Sequence, residues 1–225
     1  MNSVQPLEER LNGTDEEREY YALNKRVYAT FARFYDLVTF PIGKLRREVV
    51  VVAGVDARSR VLDVATGTGA QARAFAEQGA EVVGIDLSDA MLRIARRKNR
   101  FPHLTFRPAD ATALPFEDAS FDVTCVSFAL HEMPRSIRER TIKEMARVTT
   151  PGGTVVIIDY APPRDGFENA VARLVKLYER DHYEDFIRSD LRAILRRVGI
   201  EVRGERRSLR GAARIMTGSR FGATF

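Results

Sequence analysis

The residues of this chain with the clearest chemical potential lie in two neighbouring stretches, 61–70 and 82–86. Each contains an apolar run typical of a β-strand, and each carries an acidic residue, Asp63 in the first and Asp86 at the end of the second. A glycine-rich turn and a helical pattern lie between them. Glycines let a backbone approach a ligand closely, and a carboxylate at a strand tip can accept hydrogen bonds from both ribose hydroxyls. The two stretches therefore predict a nucleoside-binding strand–loop–helix–strand unit.

Further polar residues follow the later predicted strands. Asp110 comes after the third strand, Ser127 to Glu132 after the fourth, and Asp159 at the end of the fifth. Open parallel sheets bind ligands at the carboxyl ends of their strands, so these side chains are predicted to share one edge. Any one of the aspartates could instead be a helix cap or a surface residue, but several in this order favour a site.

The elements that must position these residues alternate along the chain. Strands are predicted at 60–64, 81–86, 103–107, 121–127 and 153–159, and helices at 70–79, 88–99 and 135–148. Ser88 is a predicted N-cap, and Pro151 to Gly153 a predicted tight turn before the fifth strand. The alternation predicts an α/β protein with a doubly wound, mostly parallel sheet. The remaining predicted elements are a mostly helical insertion at 162–187 (helix from Gly166 to Arg180), a helix at 189–198 that ends at Gly199, and strands near 200–206 and 211–217.

The N-terminal region has a different pattern. Residues 15–39 predict a helix with a wide apolar and aromatic stripe, and 44–53 predict a second helix. Such a stripe must be buried, either by simple core packing or as a lid over the ligand site. We therefore expect a helical cap at 1–43 and a ligand-binding domain at 44–225. Three tyrosines of the first helix are candidates to reach the ligand: Tyr21, Tyr28 and Tyr35.

Composition narrows the function classes. The net charge is +5, and the stretch from Arg188 to Arg220 holds ten arginines against three acidic residues. We favour a solvated basic face, with possible contact to an anionic membrane; the absence of interleaved aromatic residues argues against a nucleic-acid platform. The single cysteine, Cys125, excludes an internal disulfide and is predicted to be buried in a strand. We expect a cytoplasmic protein with neither a secretion signal nor a membrane span.

The stretch from Val61 to Gly69 resembles the first motif of the class I S-adenosylmethionine (SAM)-dependent methyltransferases. The resemblance implies that Gly67 and Gly69 let the loop pass under the methionine part of SAM. It also implies that Asp63 anchors the ammonium group of SAM through water. Ala65 stands where the common pattern has its first glycine.

Later motifs extend the resemblance over roughly residues 45–220. It implies that Asp86 binds the ribose, that Leu87 covers the adenine face, and that Asp110 and Ala111 read the adenine edge. Ser127 belongs to the matching fourth strand and is an expected cofactor contact. The implied fold is a seven-stranded Rossmann-like sheet whose last strand is antiparallel.

Within that superfamily the chain resembles most the ubiquinone and menaquinone biosynthesis C-methyltransferases. Where those enzymes usually carry Arg-Asn, however, this chain has His131-Glu132, which is closer to small-molecule and lipid-headgroup members. The implied function is methyl transfer from SAM to a small-molecule or lipid-like acceptor, either a quinol carbon or, alternatively, a phospholipid amine or small amine. S-adenosylhomocysteine would be the second product.

The acceptor is expected between the 131–134 loop, the 160–187 insertion and the first helix, with Tyr160 on its wall. His131 is the candidate general base, because an ordinary histidine pKa near 6.5 suits proton removal at neutral pH. Glu132 could orient the imidazole or point away. Alternatively, His131 only shapes the pocket or caps the next helix.

Two other function classes stay open. Gly67 to Ala72 also fits the fingerprint of a nicotinamide-binding oxidoreductase, but Asp63 would then repel the pyrophosphate. A non-catalytic SAM-binding protein is the second alternative. The three histidines, at 103, 131 and 182, are far apart in sequence and have no paired cysteines, so no metal site is expected.

Overall fold

A computed structural model describes residues 13–22, 43–178 and 182–221 of the chain. Its strands are β1 (Arg60–Val64), β2 (Glu81–Asp86), β3 (Leu104–Pro108), β4 (Phe121–Ser127), β5 (Thr149–Tyr160), β6 (Ile200–Ser208) and β7 (Ala213–Arg220). They form one sheet in the order β3-β2-β1-β4-β5-β7-β6. The first five strands pair in parallel, and β7 is antiparallel to both of its neighbours. The predicted doubly wound, mostly parallel sheet is therefore confirmed.

Eight α-helical segments flank this sheet in the described part of the chain. They are α1 (15–22), α2 (Gly43–Ala53), α3 (Ala70–Ala76), α4 (Asp89–Lys98), α5 (Arg135–Val148), α6 (Gly166–Tyr178), α7 (Tyr183–Arg188) and α8 (Leu191–Arg197). The helix predicted at 15–39 is confirmed over 15–22, and its remainder lies outside the described residues.

The core consists of two layers, one on each face of the sheet. Successive strand residues point to opposite faces, so Val61 and Leu62, both fully buried, belong to different layers. The layer of Leu62 packs against α5 and α8, and the layer of Val61 packs against α2 and α3. Cys125 is fully buried in the second layer, as predicted, and burial raises the pKa of its thiol.

Local capping signals fix the ends of two helices. The Ser88 hydroxyl accepts a hydrogen bond from the Met91 amide at 3.3 Å, which confirms the predicted N-cap of α4. Asp190 does the same for α8 through the Ala193 amide at 3.0 Å. Just beyond α8, Gly199 has a φ of 80°, a left-handed conformation that glycine adopts without strain, so the helix ends there as predicted.

Predicted bounds differ most from the structure at α3, which ends at Ala76 and not at residue 79, at β7, which ends at Arg220 and not at residue 217, and at the start of β5. Strand β5 begins at Thr149, not at residue 153, because Thr149 pairs with Phe121 before the ladder shifts register. The Pro151–Gly153 stretch is thus an irregularity inside the strand, with Gly152 at a φ of 79°. Helix α6 begins at Gly166, as predicted for the insertion at 162–187. Helix α7 in the same insertion was not predicted, and its Phe186 packs into the core.

Six of the ten arginines in the basic C-terminal stretch form ion pairs, five of them on the surface, which supports the solvated-face interpretation. The pairs are Arg188–Glu184, Arg192–Glu205, Arg197–Glu139, Arg203–Glu201, Arg206–Glu48 and Arg207–Glu168. Within the described residues, no helix combines the length and the hydropathy that a membrane crossing requires.

Candidate functional site

A cavity opens at the carboxyl ends of the central strands, where the sequence placed its polar residues. Its empty space is about 670 Å³, including the part open to solvent, and we call it the main cavity. Eight of the predicted site residues line it: Tyr21, Ala65, Gly67, Asp86, Leu87, Asp110, Ala111 and Glu132. A second cavity of about 520 Å³ shares Ala65, Gly67 and Phe128 with the first and is lined also by Asp63 and Ser127. The two cavities are therefore neighbours around the loop that follows β1.

The loop between β1 and α3 has an unusual backbone. Ala65 has a φ of 52°, in the left-handed region that a residue with a Cβ seldom adopts, which explains why a glycine is the common choice there. Gly69, with a φ of 75°, allows no side chain, since a Cβ there would lie 2.5 Å from Cζ of Phe106. The loop thus lines both cavities, through Ala65 and Gly67 in each of them.

Asp86 stands at the tip of β2 on the wall of the main cavity. Its Oδ2 accepts a hydrogen bond from the Gly67 amide and its Oδ1 from the Ser88 amide, each at 2.8 Å. Burial raises the pKa of the carboxyl, and these two amide bonds lower it in part. Each carboxylate oxygen has a further lone pair, so Asp86 can still accept hydrogen bonds from two hydroxyl groups of a ligand.

Asp110 is tied to helix α1. Its Oδ2 accepts a hydrogen bond from the Tyr21 hydroxyl at 3.0 Å, and its Oδ1 accepts bonds from the amide and the hydroxyl of Thr112, both at 2.7 Å. Burial raises the pKa of the Tyr21 hydroxyl to about 12, so this phenol stays a hydrogen-bond donor at neutral pH. Tyr21 therefore reaches the predicted site residue Asp110.

Helix α1 makes a second set of contacts, with α5. The Glu17 side chain is buried, with 8% of its surface exposed. Its carboxylate accepts a hydrogen bond from the Ser136 hydroxyl at 2.5 Å and forms an ion pair with Arg140 at 3.1 Å. These contacts lower the pKa of the Glu17 carboxyl. Helix α1 thus spans the main cavity, from α5 on one side to the Asp110 loop on the other.

Asp63 is almost completely buried, and its Oδ2 accepts a hydrogen bond from the Thr66 hydroxyl at 2.5 Å. Burial raises the pKa of this carboxyl to about 7. The bond from Thr66 opposes the rise, and the charge of Asp86 adds to it. A cationic ligand group in the second cavity would favour the ionised form of Asp63.

The predicted catalytic pair is held by a residue whose role sequence reasoning missed. Asp159 is fully buried and accepts a hydrogen bond from Nδ1 of His131 at 2.6 Å. It also accepts bonds from the backbone amides of Leu130 and His131, at 3.0 and 3.3 Å. Glu132 lies on the opposite side of the imidazole, with Oε1 3.9 Å from Nε2. The position of Asp159 at a strand end was the signal for it, but its partner could not be deduced.

His131 itself lies behind the cavity wall. Its side chain is 2% exposed, whereas Glu132, whose side chain is 24% exposed, lines the main cavity. The imidazole packs edge-on against Tyr160, with ring centroids 4.7 Å apart, and Tyr160 in turn contacts Phe128 at 5.4 Å. Glu132 and Phe128 therefore line the main cavity, and His131 and Tyr160 lie behind them.

Other residues that line the main cavity were not predicted. Tyr20, 9% exposed, lines the main cavity, and its place beside Tyr21 in the aromatic stripe was the available signal. Two lining residues of α5, Ile137 and Thr141, also escaped prediction, whereas Ala129 and Met133 belong to the stretch after β4 that was predicted to face the site. Tyr28 and Tyr35 lie outside the described residues. No group of three or more metal-ligating side chains comes together in the described ranges.

Comparison with known proteins places this geometry in a family. The family described as "Methyltransferase domain" matches residues 61–153. The chain is 38% identical over 157 residues to the demethylmenaquinone methyltransferase of Thermus thermophilus, covering 66% of this chain and 70% of that protein. It is 42% identical over 123 residues to the demethylmenaquinone methyltransferase of Renibacterium salmoninarum, covering 54% of this chain and 49% of that protein.

The chain thus spans about half the length of the Renibacterium relative. Among solved structures, phosphoethanolamine N-methyltransferase 2 of Haemonchus contortus, in complex with S-adenosyl-L-methionine, superposes with a TM-score of 0.68 at 16% identity. That match covers 90% of this chain and 60% of that one, and it shows a shared fold. The comparisons favour the methyltransferase interpretation over a nicotinamide-dependent oxidoreductase.

Proposed function

This chain belongs to the class I SAM-dependent methyltransferases, and we propose that it transfers the methyl group of SAM to a ring carbon of a small or lipid-like quinol. The names of the Thermus and Renibacterium relatives support a quinol acceptor. The observation that carries the proposal is the main cavity, in which the ribose-binding candidate Asp86 and the proton-accepting candidate Glu132 line the same space.

The described residues fit SAM group by group. The free lone pairs of Asp86 suit the two ribose hydroxyls, and the apolar side chains of Leu87 and Met91 suit an adenine face. Asp110 and Ala111 are proposed to meet the adenine edge. Asp63 lies in the second cavity, where its carboxylate suits the ammonium group of SAM.

Methyl transfer requires the protein mainly to position the acceptor relative to SAM. Bound SAM supplies an electrophilic methyl carbon, whose bond to sulfur breaks while the new bond to the acceptor carbon forms. The protein must hold the acceptor in line and exclude water, which contributes on the order of 7–11 kcal/mol. We place the acceptor beside Glu132 and Phe128, with Tyr160 behind Phe128.

Glu132 is proposed to receive the proton that the acceptor loses. Its carboxylate lines the cavity, and the imidazole of His131 lies 3.9 Å away, where a positive charge would stabilise the ionised carboxylate. Asp159 holds that imidazole through Nδ1 and also fixes the turn that carries Glu132. His131 and Asp159 therefore act as positioning residues in this proposal, and the acceptor proton ends on Glu132 or passes to His131.

Helix α1 is proposed to be the described part of a lid, within a cap of residues 1–43 on a SAM-binding domain of residues 44–225. The contacts of Glu17 and Tyr21 on opposite sides of the main cavity support this role. The free thiol of Cys125 supports work in a reducing compartment such as the cytoplasm. The net charge of +5 supports peripheral contact with an anionic membrane.

One observation favours a second acceptor class. Three carboxylates, Asp86, Asp110 and Glu132, line the main cavity, and its described lining residues include no lysine or arginine. With Asp86 and Asp110 proposed to bind SAM, Glu132 is the carboxylate left to face the acceptor. Its negative charge suits a cationic acceptor, such as a phospholipid amine or a small amine, which would then undergo N-methylation.

A methyl-transfer assay with purified protein tests the proposal. The protein is incubated with methyl-labelled SAM and, separately, with a naphthoquinol lacking the ring methyl group, phosphoethanolamine and a small primary amine. We expect label in the quinol, on carbon, and S-adenosylhomocysteine in equal amount. Label found only in an amine would show that the acceptor is an amine and not a quinol. SAM binding without transfer to any of the three compounds would also overturn the quinol proposal.

A further inference from the structure

Helix α6 presents an apolar face to solvent. Phe167 is 48% exposed and Leu174 is 57% exposed, and Ala170 between them is exposed as well. The spacing of three and seven residues places these side chains on one side of a helix. The opposite side, with Ala172 and Val175, is buried.

The helix is held firmly in this orientation. The Asp165 carboxylate accepts a hydrogen bond from the Glu168 amide at 2.8 Å in the first turn. The buried Glu168 carboxylate pairs with Arg207 at 2.7 Å and accepts the Arg164 amide at 2.5 Å. Arg207 also donates to the carbonyl oxygen of Pro162 at 2.9 Å. The outward direction of Phe167 is therefore fixed by the inward contacts of the residue next to it.

Exposed arginines lie on and beside the helix with the apolar face, together with one exposed carboxylate, Asp165, at its start. Arg164, Arg173 and Arg210 are all exposed, and the guanidinium of Arg210 lies 5.7 Å from the ring centroid of Phe167. No carboxylate of the described residues forms an ion pair with these three side chains, unlike the paired arginines of β6 and α8. An apolar face bordered by arginines is the pattern of a helix that lies in the interface of a bilayer with anionic lipids.

We infer that the face formed by Phe167, Ala170 and Leu174, with Arg164, Arg173 and Arg210 around it, docks on a membrane surface that contains anionic lipid. Charge complementarity identifies the occupant, because the arginines attract phosphate headgroups while the apolar side chains enter the acyl boundary. A 13-residue helix is about 20 Å long, enough to lie flat in the headgroup layer.

The docked face lies close to the site. The buried side of α6 packs with Tyr183 and Tyr160, and Tyr160 contacts Phe128 on the cavity wall. Docking through α6 would bring the cavity near the lipid from which an acceptor with an apolar tail could enter. The docking assigns a surface to the membrane contact of the proposed function, and the entry of an acceptor rests in addition on the proposed methyl transfer.

Vesicle sedimentation with the full chain tests the inference. Vesicles of phosphatidylcholine with phosphatidylglycerol are compared with vesicles of phosphatidylcholine alone, at low and high salt. We expect binding to the anionic vesicles that weakens as salt rises. The double variant Phe167→Gln/Leu174→Gln should bind roughly tenfold more weakly, because two apolar side chains no longer enter the lipid. Arg173→Gln/Arg210→Gln should lose the preference for anionic lipid.

The matched controls are Phe221→Gln, an exposed phenylalanine at the end of β7, and Arg100→Gln, an exposed arginine after α4. Both should bind like the wild type. Equal binding by the Phe167/Leu174 double variant would overturn the inference, as would self-association of the wild type that this variant abolishes in the absence of vesicles. Methyl transfer to a tail-free quinol in solution is measured beside each variant. If the wild type transfers the methyl group in solution but does not bind vesicles, the docking alone is wrong. If it binds vesicles but does not transfer the methyl group, the proposed function alone is wrong.

Discussion

At the scale of single residues, burial decides the chemistry of the site. Asp63 and Asp86 were identified from their places in the sequence, but their protonation depends on surroundings that a sequence does not specify. The pKa of Asp63 reaches about 7 because the side chain is cut off from water and has one hydroxyl donor, Thr66. Similarly, the partner of His131 is Asp159, 28 positions away, a pairing that only the sheet creates.

The raised pKa of Asp63 predicts pH-dependent SAM binding. A pKa of about 7 leaves about a tenth of the carboxyl ionised at pH 6 and about three quarters at pH 7.5. If the ionised form holds the SAM ammonium group, the affinity for SAM should rise roughly fivefold to tenfold over this interval. Calorimetry at both pH values checks this, and Asp63→Asn should bind weakly with little of the pH dependence. An affinity that is flat from pH 6 to 7.5 in the wild type contradicts the assignment.

The same shift has a consequence for stability. The pKa of Asp63 is higher in the folded state than in the unfolded chain, so the folded state binds more protons between about pH 4 and pH 7. Stability of the ligand-free protein should therefore fall as pH rises through that window, and less so in Asp63→Asn. Thermal unfolding of the two proteins at pH 5 and pH 7.5 measures the difference.

Glu132 should matter for turnover and not for cofactor binding. Glu132→Gln keeps the shape of the side chain but cannot accept the acceptor proton, so kcat should fall about 10²-fold or more with nearly unchanged affinity for S-adenosylhomocysteine. His131→Asn should also lower kcat and move its pH profile. Glu117→Gln, at an exposed site, is the control. A fall below tenfold in Glu132→Gln would leave positioning as the main catalytic device.

At the scale of elements, sequence periodicity predicted the strands that are buried in the core. It did not predict a short helix whose position depends on tertiary contacts. Strands β1, β2 and β4 match their predicted bounds, because continuous apolar runs are required of strands buried on both faces. Helix α7 was not predicted, since six residues carry too little pattern. Its Phe186 is fixed by two guanidinium groups, those of Arg138 and Arg214, each 5.2 Å from the ring centroid. The sequence does not indicate that contact.

Helix α1 should respond to the cofactor if it is part of a lid. Trypsin can cut after Arg18, in the middle of α1, and S-adenosylhomocysteine should slow this cut because the ligand fills the cavity beneath. Glu17→Gln removes the charged contact with Arg140 and should speed the cut in the free protein. Glu19→Gln, exposed on the same helix, is the control. Mass spectrometry of the fragments gives the rates, and no protection by the ligand would exclude the lid.

At the scale of the whole molecule, the main cavity lies between a sheet edge that could be predicted from the sequence and two helices, α1 and α5, whose positions could not. The edge carries Asp86 and Asp110 because parallel strands end on the same side. The walls come from α1 and α5, whose placement depends on long-range contacts such as Glu17 with Ser136. Family membership follows from the edge, which lies within the matched residues 61–153, whereas acceptor choice depends on the walls. That division explains why the cofactor was easier to predict than the substrate.

The most direct test of this account is calorimetric titration of the wild type, Asp86→Ala, Asp86→Asn and Asp89→Ala with SAM. Charge-assisted hydrogen bonds are worth about 1.5–3 kcal/mol each, so losing even one at the ribose should weaken binding at least tenfold in Asp86→Ala. Asp86→Asn keeps one oxygen acceptor and should fall in between, and Asp89→Ala, exposed at the start of α4, should bind like the wild type. Unchanged affinity in a folded Asp86→Ala would contradict the placement of SAM at the tip of β2.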